Sequence, residues 1–125
     1  MSNKSYVGKR KKGGFSVAKD GAFISEFEWP GNSKIRKTST TCGRLNPGQK
    51  AKLHRHEVSE EMCYVLSGHG EIKVGEIVEK IGKGDVVCIP ARAAHSLKNI
   101  SQKKLLKVLA FYSPMCTDGS TTFLE

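Results

Sequence analysis

No apolar run in this chain approaches the roughly 18 residues needed to cross a membrane as a helix, and no signal-peptide core precedes the charged stretch Lys9 to Lys12. A cytoplasmic protein that stays off the membrane is the expectation. No CxxC pair occurs: Cys42, Cys63, Cys88 and Cys116 stand far apart. Neither a zinc ribbon nor a disulfide scaffold fits that spacing, and reduced thiols are expected. Cys63 and Cys88 lie in apolar stretches, where a thiol usually behaves as a small buried hydrophobe. Helical periodicity is also nearly missing, which excludes bundles and βαβ folds.

Acidic residues are scarce, 12 against 21 basic ones, for a formal charge of +9. Five of the basic residues fall between Lys4 and Lys12, and no acidic residue precedes Asp20. A basic run of this kind reads as a solvated arm. It carries no interleaved aromatics on which bases could stack, so specific nucleic-acid binding is not expected. Residues 1–14 are therefore read as a flexible basic lead-in, and residues 15–125 as one domain, since 125 residues leave no room for a second core.

What the chain does have is short apolar stretches rich in Val and Ile, punctuated by 13 glycines. Strand signals cover residues 22–29, 37–44, 51–56, 61–67, 71–74, 76–81, 85–89, 95–99 and 104–112, with turns at Pro30-Gly31, Asn46-Pro47-Gly48, Gly68, Gly75 and Gly82-Lys83-Gly84. The fold class is all-β, a sandwich or a barrel.

Three of the four histidines fall where a strand fold could gather them. In extended chain His54 and His56 point to one face, and His95 opens a later strand. Glu57, Glu60 and Glu61 all follow the pair closely enough to add a carboxylate. Three imidazoles and a carboxylate suit one divalent transition ion (Mn, Fe, Co, Ni or Zn) and leave about two of six coordination positions open. His69, in the turn Ser67-Gly68-His69-Gly70, reads as exposed.

The spacing of these residues resembles the cupin superfamily. Its first signature is Gly, five residues, HxH, three or four residues, Glu, six residues, Gly. The chain reads Gly48-QKAKL-His54-Arg55-His56-EVSE-Glu61-MCYVLS-Gly68. Counting back from Gly68 selects Glu61. The second signature appears as Gly84-DVVCI-Pro90-Ala91-Arg92-AA-His95-SLK-Asn99, with Arg92 where the family has Gly. At that position Arg92 is expected to need an unusual backbone angle or a reshaped loop.

The resemblance, to a small single-domain microbial cupin, implies a double-stranded β-helix, or jelly-roll barrel. It implies a metal held inside by His54, His56, Glu61 and His95, and a homodimer. Family members include oxygenases, decarboxylases, lyases, isomerases and non-catalytic binders, so the fold leaves the reaction open. With Glu61 inward, alternation turns Cys63, Val65 and Ser67 inward and leaves Met62, Tyr64 and Leu66 outward, in need of cover. Lys52 shares the face of His54, so Lys52, Cys63 and Tyr112 are candidate pocket residues. Arg44 and Arg92 are further mouth or wall candidates, and Asn99 is expected to brace a turn. The expected function is a metal-dependent enzyme acting on a small oxygenated substrate. The alternative is a non-catalytic, metal-containing module that binds or senses a small molecule.

Overall fold

The computed structural model describes residues 7–28, 35 and 37–125. Among these, eleven strands and one 3-10 turn form the secondary structure, and no helix is long and apolar enough to cross a membrane. The strands are β1 (Lys9–Val17), β2 (Phe23–Glu28), β3 (Ser39–Leu45), β4 (His54–His56), β5 (Glu60–Ser67) and β6 (His69–Val74). They continue as β7 (Ile77–Gly82), β8 (Val86–Ile89), β9 (His95–Asn99), β10 (Leu106–Ser113) and β11 (Thr121–Phe123). One sheet runs β1-β2-β3-β10-β5-β8 and the other β11-β4-β9-β6-β7. All pairings are antiparallel, and each sheet draws strands from both ends of the chain. This is the expected all-β double-stranded β-helix.

Alternation along the strands explains which faces meet. β5 buries every second residue, Glu61, Cys63 and Val65, against Ile72, Ile81, Leu106 and Val108 from neighbouring strands. Burying a side chain the size of Leu106, which is 1% exposed, contributes roughly 2–3 kcal/mol. The β5–β6 turn needs Gly68: its φ is +91°, and a Cβ there would run into the carbonyl oxygen of Leu105.

Asn99, fully buried, braces the β9–β10 turn as expected. Its amide donates to the carbonyls of Leu45 (3.0 Å) and Lys104 (2.8 Å) and accepts from Ser101 N–H. Arg92 does adopt a left-handed backbone, φ 69°. Its N–H donates to the His56 carbonyl at 2.7 Å, so the hydrogen bond holds the turn that a glycine would make without strain.

Three readings are corrected or extended. Residues 9–14, read as part of a flexible lead-in, belong to β1, which pairs with β2 from Lys9 opposite Glu28 to Val17 opposite Phe23; residues 1–6 and the Pro30-Gly31 turn lie outside the described residues. Cys88 is exposed rather than buried, because β8 alternates and Val87 and Ile89 take the inner face. The short strand β11 was not anticipated.

Candidate metal centre

β4 and β9 lie side by side with His54 directly opposite His95, so the two rings come within 4.3 Å, centroid to centroid. His56, two residues on, turns to the same side, 5.0 Å from the His54 ring and 5.2 Å from the His95 ring. One nitrogen from each of the three lies within 4.8 Å of the others. Metal–nitrogen bonds of about 2.0–2.1 Å span gaps of that size. Glu61 approaches from the opposite sheet: its Oε1 lies 3.2 Å from His56 Nε2 and 3.3 Å from His95 Nε2. All four side chains are buried.

The outer nitrogens are engaged elsewhere. His54 Nδ1 is 2.6 Å from the Lys52 carbonyl and His95 Nδ1 is 2.9 Å from that of Ala93. A carbonyl only accepts, so each Nδ1 carries the proton and each Nε2 presents a lone pair inward. His56 Nδ1 instead meets the Thr121 hydroxyl at 3.0 Å and the Cys116 thiol at 3.5 Å.

The inner atoms, by contrast, are orphaned. His56 Nε2, His95 Nε2 and Glu61 Oε1 are buried without hydrogen-bond geometry to any partner, despite their close approach. Buried polar atoms in that state are costly unless something satisfies them, and a divalent cation among three imidazoles and a carboxylate does so. The donors present therefore fit a metal ion.

Electrostatics points the same way. Burial alone would push Glu61 up, yet the close approach and charge of His56 and His95 outweigh it and hold the carboxyl near 2. Burial likewise works against charge on His56, but Cys116 and Glu61 overcome it and raise it to about 9. Burial lowers His54. The centre is thus a strong attractor of positive charge, from protons or from an ion.

Behind the histidines lies a narrow cavity of about 80 Å³, several times the 10–15 Å³ or so that one water centre needs. His54, His95 and Glu61 close its polar end, and Leu45, Ile72 and Leu106 are among its apolar walls. Cys63 and Tyr112 line it. The Tyr112 ring stands edge-on to His56 at 5.3 Å. Burial drives both of their pKa values upward, Cys63 to about 12, so both keep their protons.

Lys52 is different: its side chain is exposed and does not line the cavity. Alternation failed there because β4 starts only at His54. Ahead of it the backbone is bent by other bonds, Lys52 N–H donating to Asp20 and the Lys52 carbonyl meeting His54. Arg44 borders the cavity with its guanidinium stacked on Phe15 and Phe23, 4.5 and 5.3 Å from their ring centres. Arg92 is exposed, its Nε 3.6 Å from Glu57. His69 is exposed. Thr121 and Cys116, which touch His56, went unnoticed in the sequence. Only a short Thr-Thr-Phe run after Gly119 hinted at a strand there.

A two-sheeted β-barrel enclosing three histidines and a glutamate on these strands defines a class of protein. The family profile for the cupin domain matches residues 43–112, and the chain belongs to the cupin family. An uncharacterized protein of Methanocaldococcus jannaschii is 33% identical over 109 residues, covering 87% of this chain and 86% of the relative. A Cupin 2 conserved barrel domain protein from Salinispora arenicola superposes with a TM-score of 0.73 at 15% identity, over 89% of this chain and 90% of that one. Pac13, a nucleoside dehydratase from Streptomyces, superposes at 0.69 with 12% identity, over 100% and 91%. At such identities the likeness is one of fold.

Proposed function

We propose that the protein is a metal-dependent cupin enzyme, holding one divalent transition ion through His54, His56, Glu61 and His95 and acting on a small oxygenated substrate. The observation that carries this reading is the set of orphaned inward atoms on His56, His95 and Glu61 beside the lone pair of His54. When bound, such an ion supplies Lewis acidity toward oxygen and, if iron, redox chemistry.

The chain's own residues do the rest. The histidines and Glu61 offer the substrate's oxygens a polar end, Leu45, Ile72 and Leu106 receive its carbons, and Asp20, Thr41 and Arg44 add further polar groups to the lining. Cys63 and Tyr112, holding their protons, can donate a hydrogen bond to a substrate oxygen but cannot serve as bases at neutral pH. Oxygenase, decarboxylase, lyase and isomerase chemistry all fit such a site.

Apart from the four candidate ligands the lining offers one carboxylate, Asp20, whose Oδ1 already accepts the Ala22 N–H at 2.9 Å. So thin a supply of bases favours a second reading, a non-catalytic metal-containing module that binds or senses a small molecule. Metal analysis of the purified protein tests both readings together. About one ion per chain is expected, lost in His54→Ala, His56→Ala, Glu61→Ala and His95→Ala variants that still fold. Absence of stoichiometric uptake from Mn, Fe, Co, Ni or Zn would sink both. Turnover in aerobic and anaerobic substrate screens with the loaded protein separates them, since a binding module returns its ligand unchanged.

The outer face of the larger sheet exposes Met62, Tyr64, Leu66, Val86 and Phe111, which supports a homodimer through that face. The free thiols of Cys63, Cys88 and Cys116 support a reducing, cytoplasmic setting.

A further inference from the structure

The three histidines are not held alike. His54 and His95 each bond a backbone carbonyl two residues earlier in their own segment. Those carbonyls form with the strands themselves and leave each ring one tautomer. His56 has no such carbonyl. Its Nδ1 faces Thr121 Oγ1 at 3.0 Å, and Thr121 is the direct cross-strand partner of His56 on β11, so both side chains project to the same side.

β11 is itself tied down locally. Glu57 N–H donates to Ser120 at 2.7 Å, Leu124 N–H donates to Leu53 at 2.9 Å, and the Thr122 hydroxyl donates to Glu57 at 2.9 Å. The position of Thr121 relative to His56 is therefore set by the strand pairing.

A hydroxyl, unlike a carbonyl, works in either direction. If Thr121 donates to Nδ1, the ring proton sits on Nε2, facing Glu61 Oε1 at 3.2 Å, and that nitrogen has no lone pair for an ion. If Thr121 accepts from Nδ1–H, Nε2 is free to bind. The second arrangement sends the Thr121 hydroxyl proton toward Cys116 Sγ at 3.9 Å, whose own proton can point to the Thr117 carbonyl, also at 3.9 Å. A continuous run of donors thus exists for the ion-binding tautomer.

We infer that Thr121 is the positioning residue for His56, and that the C-terminal strand β11 completes the metal centre through this one hydroxyl. The inference rests on the metal reading above. Partners of this kind typically change metal affinity by about 10–100-fold when removed.

The test uses the full chain and zinc alone, titrated in competition with a chromophoric chelator, with the melting temperature of the zinc-free protein measured alongside. Thr121→Val keeps the branched shape that suits a strand but removes the hydroxyl; zinc affinity is expected to fall about tenfold or more. Thr121→Ser restores the hydroxyl and is expected to bind within about threefold of the unaltered protein, and Cys116→Ala likewise, since the thiol is the more distant contact. If Thr121→Val does not fold, Thr121→Ala against Thr121→Ser isolates the same hydroxyl. Unchanged affinity on loss of the hydroxyl, with or without a lower melting temperature, overturns the inference, as does a loss confined to Cys116→Ala. Failure of the unaltered protein to bind zinc or any of the other ions defeats the metal reading itself, an outcome distinct from both.

Discussion

The two faces of the larger sheet are built from the same strands, one residue out of step, and differ in almost everything else. On β5, Cys63 and Val65 are 4% and 0% exposed, while Met62 and Tyr64 are 53% and 40% exposed. The inner face ends in a polar centre that Glu61 shares with the histidines. The outer face carries cross-strand rows of apolar residues, Phe111 beside Met62 beside Cys88, and Leu109 beside Tyr64 beside Val86. Glu60 and Ser113 border these rows at one end, and Lys107 at the other. A two-fold antiparallel pairing of such faces sets the acidic end of one copy against the basic end of the next. Inner apolar residues thus serve the core and the cavity, whereas the outer ones are the surface on which the proposed homodimer rests.

The largest effect should come from cutting the inner face. Leu106→Ala, at a side chain 1% exposed, is expected to cost about 2–5 kcal/mol through lost burial and a cavity next to the histidine cluster. Leu66→Ala on the outer face, at 38% exposure, should cost no more than about 0.5 kcal/mol in the dilute monomer. Denaturant unfolding of both variants, followed by fluorescence or circular dichroism, makes the measurement. Equal losses would mean that the outer face is already part of the folded core.

A charge in the middle of the outer rows should act on assembly and leave the fold alone. Met62→Glu sets like charges face to face in a two-fold contact, which should weaken self-association by about tenfold or more. Light scattering across a concentration series, with melting temperature as a control, reads the outcome. A parent protein monomeric at every concentration would show that this face is not a self-association surface.

The same contrast governs how much the sequence revealed. Where one face is buried, period-2 alternation is a physical necessity, so the inward set on β5 and the pair His54 and His56 could be read directly. The motif spacing then singled out Glu61 and tied it to His95, and in the structure all four converge. Alternation has meaning only inside a strand, which is why it misplaced Lys52, just ahead of β4. The burial expected of Cys88 rests on the usual behaviour of a thiol in an apolar stretch, and the alternation of β8 turns it outward instead. Pairing partners distant in sequence were harder still. Thr121 meets His56 only because β11 adds to the edge of β4, and a three-residue strand carries too little pattern to announce that. Residues 9–14 looked like a solvated arm by charge alone, since the pairing of Lys9 and Arg10 with β2, ahead of an irregularity that runs to Phe15, rests on backbone bonds that composition does not record.

The smallest effect, and the sharpest probe of the two faces, is thiol chemistry. Cys88 is exposed on the outer face, and its cross-strand neighbour Met62 is buried no better. Cys63 sits across the sheet with its pKa raised to about 12, first by burial and then by the charge of Glu61. At pH 8 its thiolate would be about one part in ten thousand, and only the thiolate attacks. Maleimide labelling of the folded protein, mapped by peptide mass, should modify Cys88 and leave Cys63 untouched until denaturant is added. Glu61→Gln removes the smaller cause and leaves the larger, so Cys63 should stay inert in that variant too. If the outer face is covered in a dimer, Met62→Glu should speed the labelling of Cys88 and do nothing for Cys63. Labelling of Cys63 at the rate of Cys88 in the folded chain would show that the inner face opens freely to solvent, and the enclosed cavity assigned to the substrate would be lost with it.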